Sequence, residues 1–175
     1  MTHDCTSVPA VHAQTLQDGL LLELVSADCI PVDDGQPEAI YEKAAYLRVT
    51  NQSRGALTVR HNAGAAAHLA FGVASFAPVL RPDREEVPNF GPLDPSRVRT
   101  EKAKLGPGDT LELRGRSSYV LRLTDAARRD APELGQRRNG SWVTAYRVRY
   151  QYNFTLNGTK TIRGDFLRDL EIRVP

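Results

Sequence analysis

The chain has little lysine, little cysteine and no long apolar run, and each shortage removes a class of protein. Only Lys43, Lys102, Lys104 and Lys160 stand among 23 basic residues, so nineteen are arginine, a bias that points to a GC-rich genome rather than to a function. No stretch of eighteen apolar residues occurs, which excludes a membrane-spanning helix. The opening Met-Thr-His-Asp-Cys lacks the basic-then-apolar order of a signal peptide. The expectation is therefore a soluble chain, either cytoplasmic or exported with its leader absent. Neither Cys5 nor Cys29 sits in a CxxC or beside a histidine, which argues against zinc and thiol-redox sites. The two form a bridge in an oxidising compartment and stay thiols in the cytosol. Of the histidines His3, His12, His61 and His68, the closest pair is seven residues apart across a glycine, too sparse for a metal site and better read as surface or loop residues. No Gly-x-Ser-x-Gly is present, and no internal repeat or low-complexity segment. An enzyme is not the expectation.

What is present is period-two patterning, clearest from Val143 to Val174. Tyr146, Val148, Tyr150, Tyr152, Phe154 and Leu156 alternate with Arg147, Arg149, Gln151, Asn153 and Thr155. A strand sends successive side chains to opposite faces, so the tyrosines belong to the core and Arg147 and Arg149 to solvent. Asn157-Gly158 is a strong hairpin signal, and Ile162, Phe166, Leu170, Ile172 and Val174 continue the apolar set on even positions. A two-residue loop would put Ile162 beside Asn153, on the wrong face. Parity therefore demands a three-residue loop, with Gly158 left-handed in a type I turn plus bulge, or else a bulge at Gly164; the three-residue loop is preferred.

The rest of the chain gives shorter signals. Residues 1–18 read as a polar tail, and 19–175 as one domain. Strands are expected at Leu20–Ala27, Ala45–Asn51 and Leu57–Val59, the last two as a hairpin about Asn51–Gly55. Further strands are expected around Leu69–Val73, over Arg97–Leu105, at Leu111–Leu113 and at Tyr119–Thr124. Asp125 caps a short helical turn that stops near Pro132, and residues 130–141 form a polar loop. Five prolines between Pro78 and Pro95 predict a stiff surface excursion. Residues 1–43 carry a balance of −7, leaving +9 for the remainder, which the fold is expected to neutralise internally. Four Asn-x-Ser/Thr triplets, starting at Asn51, Asn139, Asn153 and Asn157, match the glycosylation acceptor pattern but equally mark turns.

The segments Tyr46-Leu47-Arg48-Val49-Thr50-Asn51-Gln52-Ser53 and Leu105-Gly106-Pro107-Gly108-Asp109-Thr110-Leu111 together resemble the strand, turn, strand and later L-x-P-G-D layout of bacterial immunoglobulin-like modules, including the intracellular proteinase inhibitor type. The resemblance covers roughly residues 20 to 124. It implies an all-β, immunoglobulin-like antiparallel sandwich of seven to nine strands with at most one short helix. The proline-rich stretch departs from the inhibitor pattern.

Function is then expected in the loops at 28–42, 78–95 and 125–141, as a non-catalytic module binding another protein, with proteinase inhibition as one version. The candidate binding residues are Arg84, Asn89, Phe90, Arg128, Arg129, Arg137 and Arg138. An anionic ligand or nucleic acid is the alternative, because nine arginines lie between Arg114 and Arg149. A metal-dependent enzyme using His61 or His68 is a third. For a metal, Asp28, Asp33, Asp34 and Glu38 could offer oxygens to calcium, but their spacing lacks the EF-hand order. No membrane partner is expected.

Overall fold

The computed structural model describes residues 9–27, 29–31, 45–115 and 118–175. It is mostly β. The strands are β1 (Ala10–Gln17), β2 (Leu20–Ser26), β3 (Cys29–Pro31), β4 (Ala45–Asn51), β5 (Leu57–Gly64), β6 (Phe71–Pro78), β7 (Val98–Leu105), β8 (Thr110–Leu113), β9 (Gln136–Arg138), β10 (Ser141–Leu156) and β11 (Lys160–Val174). Two helices join them, α1 (Ala67–Ala70) and α2 (Ser118–Leu134), and a single 3₁₀ turn spans Pro95–Arg97. No described helix is long and apolar enough to cross a membrane.

One sheet has the order β1-β2-β4-β8. The other runs β3-β11-β10-β5-β7. The β10–β11 hairpin is the spine of the second sheet, paired without interruption from Trp142↔Val174 to Leu156↔Lys160. Residues 157–159 make the three-residue loop that parity demands, and Gly164 is not bulged. Asn157 (φ 52°) is left-handed together with Gly158 (φ 74°), so the turn is built on two left-handed residues with Thr159 as the extra one, rather than on a type I turn. The other edge of β10 is shared in turn by β9, β6 and β5. The apolar faces of the two sheets contribute to one core, in which Leu22, Leu24, Leu47 and Val49 meet Tyr146, Val148, Tyr150 and Ile172. Those tyrosines are core, as their parity required.

Several expectations change, among them the strand expected around Leu69–Val73: Leu69 and Ala70 end α1, and β6 opens only at Phe71. Residues 10–17 are a strand and not a tail, because their backbone pairs with β2 despite having only exposed and half-buried side chains. Described strands number eleven, not seven to nine. β4 and β5 are not a hairpin: β4 pairs with β2 and β8 in one sheet, and β5 with β7 and β10 in the other. Asn51 decides this. Its buried side chain donates to Gly55 O (2.8 Å) and Leu105 O (2.9 Å) and accepts from Ser53 N and Oγ, while its backbone bonds Gly108 N and Asp109 O. The two segments of the resemblance are thus tied by one side chain where the chain crosses between sheets.

α2 is a further change. Tyr119–Thr124, expected as a strand, opens a 17-residue helix that also takes in Asp125 and Pro132, so there are two described helices, one of them long, where at most one short helix was expected, and residues 130–141, expected as a polar loop, divide between α2 and β9. Leu123, Thr124, Ala126, Ala127, Asp130 and Ala131 are its buried positions among the described side chains, a spacing of three and four that fits a helix face. The alternation of 119–124 was too short to separate the two periods. Pro132 sits in the last turn, where its missing N–H costs the helix one hydrogen bond, to the Arg128 carbonyl, close to the helix end. The N-terminal acidity is partly neutralised inside the fold, by Glu23 with Arg48 (2.7 Å) and by Asp18 with Lys160.

Candidate functional site

The proline-rich excursion leaves the second sheet at Pro78, the end of β6, and is folded back onto α2. The peptide groups of Phe76 and Glu86 exchange two hydrogen bonds (Phe76 N to Glu86 O, 3.0 Å; Glu86 N to Phe76 O, 2.8 Å). Tight turns close on Pro78 and Arg81, and Val79 N bonds Ala145 O at 3.0 Å, continuing the β6–β10 ladder by one residue. Two forked pairs then fasten the excursion to the helix. Arg84 of the loop grips Glu133 of α2 through both terminal nitrogens (2.9 and 3.0 Å), and Arg129 of α2 grips Glu86 of the loop (2.9 and 3.1 Å). Planar forks suit carboxylates in this geometry. Arg81 adds a fork to Asp83 and lies 3.7 Å from Glu133.

Below the surface the same network reaches the core. Arg129 also donates to Asp130, whose other oxygen accepts from the buried Tyr146 hydroxyl at 2.8 Å. Burial opposes ionisation of Asp130, but hydrogen bonds from Arg129 and Tyr146 outweigh it and hold the carboxyl below its ordinary range. Burial, and then the bond to Asp130, push the Tyr146 hydroxyl far above its usual value. The hydrogen bond from Arg84 holds Glu133 low, and that from Arg81 brings Asp83 down to about 2. All of these acids are charged at neutral pH and act as fasteners rather than as proton carriers.

Asn89 turns the loop by accepting from Gly91 N (2.8 Å), and its carbonyl is 3.5 Å from Arg122. Phe90 stacks on His68 at 4.2 Å between ring centres and packs against the core. Between loop and helix lies a cleft of about 290 Å³ lined by Phe76, Glu86, Val87, Arg122, Ala126 and Arg129. Val87, at the rim of this cleft, is 71% exposed and Leu80 66%.

The seven candidate residues therefore divide. Arg84, Asn89, Phe90 and Arg129 come together on the loop–helix surface, with Arg128 on the same helix, 3.7 Å from Asp125. Arg137 and Arg138 are on β9, the first over the Trp142 ring at 4.9 Å and the second 3.5 Å from Glu171. The arginine run is not a free cationic face: Arg114 meets Glu112, Arg147 forks onto Asp169, and Arg149 lies 3.7 Å from Asp165. Glu86, Asp130, Glu133 and Tyr146 were missed as members of the site. A helical reading of 118–134, which puts Ala126, Arg129, Asp130 and Glu133 along neighbouring ridges, would have drawn the acids and arginines together.

Asp28, Asp33, Asp34 and Glu38 lie outside the described residues. Among the described residues no three His, Cys, Asp or Glu side chains converge to hold a metal; His61 sits 4.0 Å from Glu101, apart from the stacked His68. Cys29 is disulfide-bonded, and the sequence holds one other cysteine, Cys5, outside the described residues. Comparison with family models, curated proteins and solved structures finds no match to the chain.

Proposed function

We propose that this chain is a non-catalytic protein-interaction module built on an immunoglobulin-like sandwich, gripping its partner with the 79–94 excursion. The observation that carries the reading is the double Arg–Glu fastening of that loop to α2 with Leu80 and Val87 left exposed on it. A loop already held in one shape loses little conformational freedom on binding, so contacts it makes are not spent on ordering it. Apolar side chains exposed on such a loop are suited to the dry centre of an interface. Proteinase inhibition remains one version, since a stiff exposed loop is what a cleft can accept without distorting. The sandwich reading is supported by strands that change sheet after β2, β3, β4, β7 and β8, although a 17-residue helix is an addition to such a module.

The test compares wild type with Leu80→Asp/Val87→Asp as immobilised bait in native lysate, with retained proteins quantified by mass spectrometry, alongside inhibition assays on serine and cysteine proteinases. Both positions are exposed, so folding is expected to survive. At least one protein, or one inhibited enzyme, should be retained by wild type and lost at least tenfold by the variant. Identical profiles for the two baits would sink the proposal.

A further inference from the structure

The fold pairs most of its described arginines with acids, which makes one group of unpaired cations conspicuous by contrast. Arg60 of β5, Lys102 and Lys104 of β7 and Arg163 of β11 are exposed, and each lacks an acidic partner among the described residues. They occupy one face. Val59 and Ala63 point into the core, so Arg60 points outward, and Lys102 lies directly across from it. Thr155 faces Arg60 on one side and Thr161 on the other, so Thr161, Thr155, Arg60 and Lys102 form one row across four strands. Arg163, opposite Asn153, and Lys104, opposite Thr58, stand in the neighbouring rows. With strands about 4.8 Å apart and about 6.6 Å between alternate residues, the four cations fall within roughly 20 Å.

Like charges placed directly opposite on a sheet destabilise it, and this fold supplies acids to its cations elsewhere. The interleaved residues are neutral hydrogen-bonding side chains (Thr58, Asn153, Thr155, Thr161), with neither an aromatic ring to stack on a base nor a large apolar group to enter a bilayer. A nucleic-acid duplex carries about one negative charge per 1.7 Å of axis, so a patch of this size faces more phosphates than it has cations. We propose that this outer face of β11, β10, β5 and β7 binds the phosphate backbone of duplex nucleic acid, independently of sequence and separately from the 79–94 loop.

The test is fluorescence anisotropy with a labelled mixed-sequence DNA duplex of about 20 base pairs and the full chain, from 50 to 200 mM salt. Four phosphate contacts predict a slope of log affinity against log salt of about −3.6, a fall of about 10²-fold across that range. Lys102→Gln/Lys104→Gln should halve the slope, Arg60→Gln/Arg163→Gln should do the same, and Arg114→Gln, whose arginine is paired to Glu112 on the other sheet, should leave it unchanged. Both double variants should melt at or above the wild-type temperature, since repulsion is relieved. No binding at 50 mM salt, or equal slopes in wild type and both double variants, overturns the proposal. So does capture by phosphatidylserine–phosphatidylcholine vesicles without capture by duplex. Aggregation of the lysine variant with unchanged affinity in Arg60→Gln/Arg163→Gln would assign the lysines to guarding an edge strand, and overturns it too.

Discussion

Replacing Asn51 with alanine is expected to be among the most damaging single changes outside the apolar core. The side chain is fully buried and makes four hydrogen bonds, two donated by Nδ2 and two accepted by Oδ1. Each is worth about 1 kcal/mol net, and Leu105 O is left without this donor in a buried position, so the loss should be about 3–4 kcal/mol. For a domain of this size that corresponds to about 6–16 °C in melting temperature. The measurement is urea denaturation with calorimetry. Asn51→Asp separates shape from hydrogen bonding: it keeps the volume and the acceptor to Ser53 but turns a carboxylate oxygen toward two carbonyls. It should be at least as damaging as alanine at neutral pH and should recover as pH falls, because the protonated acid can donate again. A loss below 1 kcal/mol in Asn51→Ala, or no pH dependence in Asn51→Asp relative to wild type, would refute the claim that this side chain holds the sheet crossover together. The same burial predicts that Asn51 in the folded chain is not glycosylated despite its acceptor triplet.

Tyr146→Phe keeps the ring and removes the donor to buried Asp130; a hydrogen bond to a charged group is worth about 1.5–3 kcal/mol, and chemical denaturation at pH 7 should show that loss. Because the folded-state value of Asp130 is depressed, its contribution is complete above its unfolded value of about 3.9 and fades as pH falls through the lower folded value, so the gap between wild type and Tyr146→Phe should close below about pH 4. A gap that does not narrow as the pH is lowered would contradict the ionised state. Gly164→Ala should cost about 1–3 kcal/mol, because the new Cβ would come within 2.7 Å of the Tyr152 ring, which lies across the bare glycine in the paired strand. A thermal scan matching wild type would show that the Tyr152 ring is free to move aside.

Long alternation is legible because it depends only on strand geometry and the cost of burying polar groups. Sixteen residues of β10 with one parity left a single register for β11, and with it the three-residue loop and the burial of the tyrosines. Short alternation is not: at 119–124 six residues fit both periods, and the arbiter was burial against β6, β10 and β11, which involves sequence-distant partners. The site suffered the same way. Arg84, Asn89, Phe90 and Arg129 were readable as loop and helix polar or aromatic residues, but whether an arginine is offered to a ligand or consumed by a carboxylate depends on Glu133 and Glu86 lying 49 and 43 residues away.

The sequence by itself determined the β class, the faces of the long hairpin and the stiffness of the 78–95 excursion, since these follow from local backbone sterics and side-chain periodicity. Only the tertiary structure decided which sheet each strand joins, that Asn51 ties the crossover, and which cations stay unpaired, because all three are set by contacts between residues far apart in the chain, and a local pattern carries no record of its distant partner.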